Sequence, residues 1–283
     1  MLFELITGAV VLVLASIQDL KSREVADILS WGLIALGFLF SIVRSMINWS
    51  YEPLLSSLFG FLFMFLIGVV FYYTGQWGGG DAKIGMGLGS LIGLYFNNYF
   101  LIMFVVLMLF AGSIYGLFYS LVLAFSNYNK FKKKFVELIR DKKVHLIRSI
   151  IIYSGIVLLV ISIFVPGFWK MILLLLVIVI YITFYLFLFV KTVESSVLIK
   201  KYAVSKLTEG DWINEEVKIG KKIICGPKDL GVTLEQIALL KKYKVKSVVV
   251  KEGIPFIPSF LLAYLLAWFL VYLGFNLTTI FNL

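Results

Sequence analysis

Long apolar runs separated by short polar links dominate the chain. A helix needs about 20 apolar residues to cross a bilayer, and on that rule the runs predict spans at 2–18, 28–47, 54–74, 82–96, 99–125, 149–165, 170–190 and 257–275. The fourth is short, roughly 22 Å at 1.5 Å per residue, which favours local thinning of the bilayer and entry of water. Between 127 and 148 basic and apolar residues alternate, as in an amphipathic helix lying in the membrane interface. The stretch 191–256 is polar and basic. Within it 217–224 reads as strand with a Gly220-Lys221 turn, and Thr233-Leu234-Glu235-Gln236 is a capping box opening a helix to Tyr243. From Lys244 to Lys251 polar and β-branched residues alternate as in a strand. The pattern predicts a polytopic α-helical membrane protein, with about eight transmembrane helices, and a small cytoplasmic α+β module. Its parts are a transmembrane core (1–126), a basic interfacial segment (127–148), a transmembrane hairpin (149–190), the module (191–256) and a C-terminal helix (257–283).

Composition strengthens the membrane reading. The 283 residues are 61% hydrophobic and 17% aromatic, more than a water-soluble core of this size uses. The first apolar segment lacks a basic lead-in and a small-residue cleavage site, so it is expected to be retained as a helix. The net charge of +10 does not point to nucleic acid, because its distribution follows the spans. All Lys and Arg residues except Arg44 and Lys170 fall on one side of the predicted topology. Basic loops stay cytoplasmic, so both termini are expected outside, and the basic side is expected to meet anionic lipid headgroups. Cys225, the one cysteine, excludes an internal disulfide and a four-cysteine zinc site. His145 stands among lysines and is expected to face solvent. No phosphate loop is present, since Gly78-Gly79-Gly80 lacks the Lys-Ser/Thr that such a loop requires.

Two acids change the picture. Asp81 follows Gly78-Gly79-Gly80 and heads the fourth span, where free amides and the helix dipole favour a carboxylate. Taken alone it reads as an N-cap. Gly85, Gly89 and Gly93 follow it at four-residue steps, a narrow face suited to close helix packing. Asp19 ends the first span, above a second face of Ala15, Leu12 and Gly8. The two faces are expected to pack together and set Asp81 near Asp19; Gly112 on the fifth span matters less to this unless that helix also joins the seam. A carboxylate pair, one protonated and one ionised, activates water for peptide hydrolysis without metal or cofactor. Asp27 is expected to N-cap the second span, and Trp77 to lie at headgroup level. Pro255 and Pro258 break the last helix at the rim and leave backbone groups free there.

The stretch Gly78-Gly79-Gly80-Asp81-Ala82-Lys83-Ile84, together with Ala15-Ser16-Ile17-Gln18-Asp19-Leu20, resembles the type IV prepilin peptidase family of GxGD membrane aspartyl proteases, in its archaeal preflagellin and prepilin branch. Asp27 matches the close of the family's Ile-Pro-Asp/Asn triplet, although Val25-Ala26 replace Ile-Pro. The specific motifs lie within about residues 10–95, and 226–258 is similar to the C-terminal region of one archaeal subgroup. The resemblance implies an aspartic endopeptidase with Asp19 and Asp81 as its dyad. It would cut short basic leaders from pilin-like or archaellin precursors at the cytoplasmic face. Gly78, Gly79, Gly80 and Lys83 then become candidates to hold substrate, Glu24 and Asp27 to attract the basic leader, and Pro255 and Pro258 to line the channel rim. Two other readings stand beside it. A proton-coupled transporter would place acids near mid-membrane and show a repeat between halves; a noncatalytic scaffold of a pilus or secretion machine would tolerate loss of both acids.

Overall fold

A computed structural model describes residues 2–95, 99–219 and 222–274. The expected Asn97-Asn98 turn, the Gly220-Lys221 turn and the chain beyond 274 lie outside the described residues. Helices α1 (Leu2–Ser22), α2 (Asp27–Asn48), α3 (Glu52–Tyr73), α4 (Gly79–Ile92) and α5 (Phe100–Ser126) are followed by the amphipathic α6 (Tyr128–Arg140). A hairpin, α7 (Lys142–Phe164) and α8 (Phe168–Val193), leads to the strand-bearing module, and α10 (Ile257–Tyr272) returns to the bundle. Among the described residues, six helices are long and apolar enough to cross a membrane: α1, α2, α3, α5, α7 and α8. The other two expected spans are the short helices α4 and α10, with 14 and 16 residues. The chain is a polytopic α-helical membrane protein.

The short α4 is the centre of the bundle. Its sequence is mostly glycine and small apolar residues, so neighbouring backbones approach it on more than one side, and Leu88 and Ile84 are fully buried. At Gly89 a Cβ would lie 2.3 Å from the carbonyl oxygen of Gly60 on α3, and a Cβ at Gly60 would lie 2.2 Å from the oxygen of Gly89. Only glycine at both positions permits that approach. Gly85 faces Met64 and Gly93 faces Ser56, so the glycine face packs on α3 rather than on α1 as the four-residue spacing suggested. The other side of α4, at Gly87, faces Leu33 of α2. Buried serines add direction to this packing: Ser57 on α3 donates to the carbonyl of Ser90 at 2.6 Å. The reason for the different partner is topological. α3 and α4 are consecutive helices joined by a short link, and α1 is left to pack along α10.

α5 and α10 close the other side of the core through Phe104, Phe260 and Tyr264. Phe256, just before α10, fills the space beside Gly112, where a Cβ would meet its ring at 2.5 Å. Gly112 is therefore part of a tight seam of its own. Trp77 is also buried in the protein core, at 2% exposure. It stacks on Phe71 with centroids 4.7 Å apart and meets Phe260 at 5.1 Å, which pins the glycine run to the core.

The basic segment divides at Asp141. That side chain accepts from the amides of Lys143 and Val144 and caps α7, so residues 142–148 begin the next apolar helix. α6 buries no residue and leans on α8 through Phe131 and Phe189. α7 and α8 pack on each other, and Ser162 is the one buried residue of α7, as suits helices that face lipid. His145 is exposed.

The module holds β1 (Ile199–Ala203), β2 (Trp212–Ile213), β3 (Val217–Ile219), β4 (Lys222–Cys225), α9 (Leu234–Lys242) and β5 (Ser247–Lys251). β5 is the middle strand of an antiparallel sheet with β1 and β2 on its flanks, and β3 pairs with β4. The capping box at α9 forms as the sequence predicts. The hydroxyl of Thr233 accepts from the Gln236 amide at 3.2 Å, and the Gln236 side chain accepts from the Thr233 amide at 2.9 Å. Val248, Val250, Leu240 and the free Cys225 form its own small core. β1 was not visible in the sequence, because Ile-Lys-Lys-Tyr-Ala reads as a basic tail to α8 until β5 pairs with it.

Replacing Gly89 by Leu should separate α3 from α4 and lower thermal stability in detergent by about 3 kcal/mol or more. Gly116→Leu, at a position with no atom within 4 Å of a new Cβ, should change it by less than about 0.5 kcal/mol.

Candidate active site

Asp19 lies in the last turn of α1 and is 5% exposed. A carboxylate so placed needs donors, and the fold supplies one from the far end of the chain. The backbone amide of Ile257 donates to Asp19 Oδ2 at 2.9 Å, with the amide of Phe256 beside it. These amides open α10, whose N-terminus carries unpaired N–H groups and the positive end of the helix dipole. The prolines explain the geometry. Pro255 is buried ahead of the helix, and Pro258 sits in its first turn, where its missing N–H costs nothing. They therefore frame the backbone that holds Asp19.

Asp81 is the third residue of α4, not its cap. Gly78 is the N-cap, and its amide donates to Asp81 Oδ2 at 2.9 Å. Glycine has no side chain to return the bond, so only half of a capping box exists. Asp81 is half-buried, and its carboxylate feels the charge of Asp19. The two predicted acids thus lie near enough for one charge to act on the other, at the end of the bundle where α1 touches α4.

The glycine run between them differs residue by residue. Gly80 lies against Val25 of the α1–α2 link, a Cβ at Gly78 would have only the Asp81 carboxylate nearby, and one at Gly79 would have no atom within 4 Å. Backbone angles at these three positions are not in the left-handed region. Packing therefore does not demand glycine at 79.

The charged link around the acids is built of specific pairs. Asp27 is the first residue of α2 and makes no cap; the N-cap is Ala26. Its carboxylate instead accepts from Lys83 Nζ at 2.6 Å, which joins α2 to α4, and Lys83 also lies 5.6 Å from the ring of Trp31. Glu24 is exposed and accepts from the Thr208 hydroxyl of the module at 2.5 Å. Trp212 lies against Gly75, and Tyr72 donates to the carbonyl of Leu230 at 3.3 Å, so the module also touches the strand of chain leading into the glycine run.

One cluster was not foreseen. Arg23 ends α1 with φ of 59°, a left-handed conformation uncommon outside glycine, and its guanidinium pairs with Glu252. Glu252, 8% exposed, also takes Lys200 at 2.9 Å and the hydroxyl of Tyr202. Burial alone would raise its pKa, but hydrogen bonds from Tyr202, Lys200 and Arg23 outweigh burial and hold it below the ordinary value. The cluster fastens the module to the end of the helix that carries Asp19. Its only sequence signal was a lone acid beside the basic strand, which carries no partner information. Among the described residues, no group of three His, Cys, Asp or Glu side chains is arranged to hold a metal.

This arrangement belongs to a class: a polytopic helical membrane protein with two carboxylates near each other at one end of its bundle. Residues 6–121, which include both acids, match the type IV leader peptidase family. Three proteins named preflagellin peptidase are similar to the chain. The one from Methanococcus maripaludis is 40% identical over 91 residues, that from Methanococcus voltae 41% over 88, and that from Methanocaldococcus jannaschii 39% over 90. These matches cover 31–32% of this chain and 37–39% of the relatives' own lengths.

Because the folded pKa of Glu252 is depressed, its contribution to stability is present above the ordinary glutamate value of 4.5 and is lost as pH falls through the lower folded value. Glu252→Gln should therefore cost about 2 kcal/mol at neutral pH and have little further effect in acid, read as a pH series of thermal midpoints.

Proposed function

We propose that the chain is a membrane aspartyl endopeptidase that removes short basic leaders from archaellin or pilin-like precursors. The observation that carries this reading is the closeness of Asp19 and Asp81, at the end of the bundle where α1 touches α4, in a segment that matches the type IV leader peptidase family. In the proposed reaction one carboxylate takes a proton from water, and the oxygen adds to the scissile carbonyl. The other carboxyl, protonated, gives its proton to the leaving amine as the C–N bond breaks. The pair titrates jointly, and the two roles belong to the pair. The amides of Ile257 and Gly78 keep one oxygen of each acid fixed, leaving the others for water and substrate.

Gly78, Gly79 and Gly80 support the reading because at least Gly79 is free of any packing demand, so an extended peptide can run along the backbone there. We assign Lys83, Asp27 and Glu24 to the rim. Asp27 is exposed even while paired with Lys83, so it can still attract a basic leader. We assign Pro255 and Pro258, which frame the backbone that holds Asp19, to the rim of the substrate channel as well. The positive-inside distribution of Lys and Arg supports an active site on the cytoplasmic side with both termini outside, and α6 on anionic headgroups. The acids lie in end turns of their helices rather than mid-span, which does not favour a transporter.

Purified chain and archaellin precursor provide the test. Asp19→Asn and Asp81→Asn should each abolish cleavage while the protein still folds; full activity in either would sink the dyad. Asp27→Asn should remain within about fivefold of wild type, since an exposed pair is worth at most about 1 kcal/mol. EDTA should leave the rate unchanged, and loss on chelation with recovery on added zinc would point to a metallopeptidase.

A further inference from the structure

Tyr115 on α5 is unused by the proposed chemistry, yet the charge of Asp19 reaches it. Its hydroxyl oxygen is buried and, among the described residues, has no hydrogen-bond partner. Three contacts locate it. One turn before it on α5, Gly112 lies against the ring of Phe256, the residue next to the amide that holds Asp19. One turn after it, the Tyr119 ring lies 6.0 Å away, tilted by 32°, and reaches Arg23, which follows α1 one turn beyond Asp19. Tyr115 thus stands level with Asp19, within reach of its charge. Its neighbour Tyr119 has a partner in Arg23; Tyr115 has none. A buried hydroxyl is rarely left unpaired, and one within reach of Asp19 is placed to donate to an oxygen of a substrate held there.

We propose that Tyr115 donates a hydrogen bond to the scissile carbonyl oxygen as negative charge develops on it. This rests on the aspartyl peptidase reading and adds a third group to the reaction centre. No bond to Tyr115 forms or breaks. The hydroxyl keeps its proton and stabilises the tetrahedral oxyanion, whose charge is then relieved when the amine leaves protonated. Such a donor works by being fixed before the reaction, and α5 fixes it through the Gly112–Phe256 and Tyr119–Arg23 contacts on either side.

Tyr115→Phe in the full-length chain tests the assignment, with precursor cleavage and thermal unfolding measured on the same preparation. We expect kcat to fall about 10²-fold, KM to stay within about twofold, and the thermal midpoint to hold or rise, since the phenylalanine buries no unpaired hydroxyl. Unchanged kcat, or a fall in kcat that tracks a fall in thermal midpoint, overturns the role. A fluorinated tyrosine at 115, nearly the same in shape but more acidic, supplies the second readout: kcat should shift with donor acidity while stability does not, and an unchanged kcat counts against the proposal. An active enzyme that depends on Asp19 but ignores Tyr115→Phe sinks this role alone. A wild-type chain that fails to cleave, or an Asp19→Asn chain as active as wild type, sinks the peptidase reading together with it.

Discussion

Burying the Asp19 carboxylate is the constraint on which the rest of this structure turns. A carboxylate at 5% exposure near the end of a membrane helix is costly unless donors meet it. The donor here is the Ile257 amide, 238 residues away in sequence. For that amide to arrive unpaired, α10 must begin at that point: Pro255 precedes the helix, and Pro258 in its first turn fits a helix start. α10 must also pack along α1, and Tyr264 secures this by lying against Gly8 and donating to the carbonyl of Leu5 at 3.2 Å, while Phe260 and Tyr264 fill the core against Phe104 of α5. The carboxylate, the helix start and the aromatic seam are thus one unit.

The second acid is delivered differently. α4 is too short to be an ordinary span and too rich in glycine to be a stable isolated helix. Its stability comes from backbone approach to α3 and from buried serine hydrogen bonds, which suit a setting where apolar association has little driving force of its own. With α4 fixed against α2 and α3, its N-terminal turn has one accessible side, and α1 supplies the neighbour. Asp81 is therefore positioned by helices that contribute no chemistry.

The module is tied to both halves of this arrangement. Arg23–Glu252 grips the end of α1, Trp212 lies on Gly75 ahead of the glycine run, and Thr208 donates to Glu24 in the link between α1 and α2. Its sheet places Glu252 just after β5, so pairing of β5 with β1 and β2 brings Lys200 and Tyr202 to the same carboxylate. A module with a small core gains a fixed position through this ion-pair cluster, and the segment from β5 into α10 carries that position directly to Asp19.

Much of the plan was legible along the chain. Apolar length determined the membrane helices, because a bilayer accepts only helices whose backbone bonds are internal. The capping box at Thr233, the lipid-facing hairpin and the two acids at span ends are all local features of residue type and spacing. Partner choice was not local. The Gly85–Gly89–Gly93 face is equally ready for any narrow helix, and a short loop gave it α3. Asp27 fits a capping role by position, yet Lys83 claimed it, and the packing of Trp77 between Phe71 and Phe260 left no mark on the local sequence. β1 acquired strand form only from β5, and Glu252 its lowered pKa from three donors, two on β1 and one just after α1. Sequence determined which segments could be helices and which end each acid would occupy, since both follow from short-range periodicity. Tertiary structure alone decided which helices touch, because packing is settled by the mutual fit of surfaces far apart in the chain.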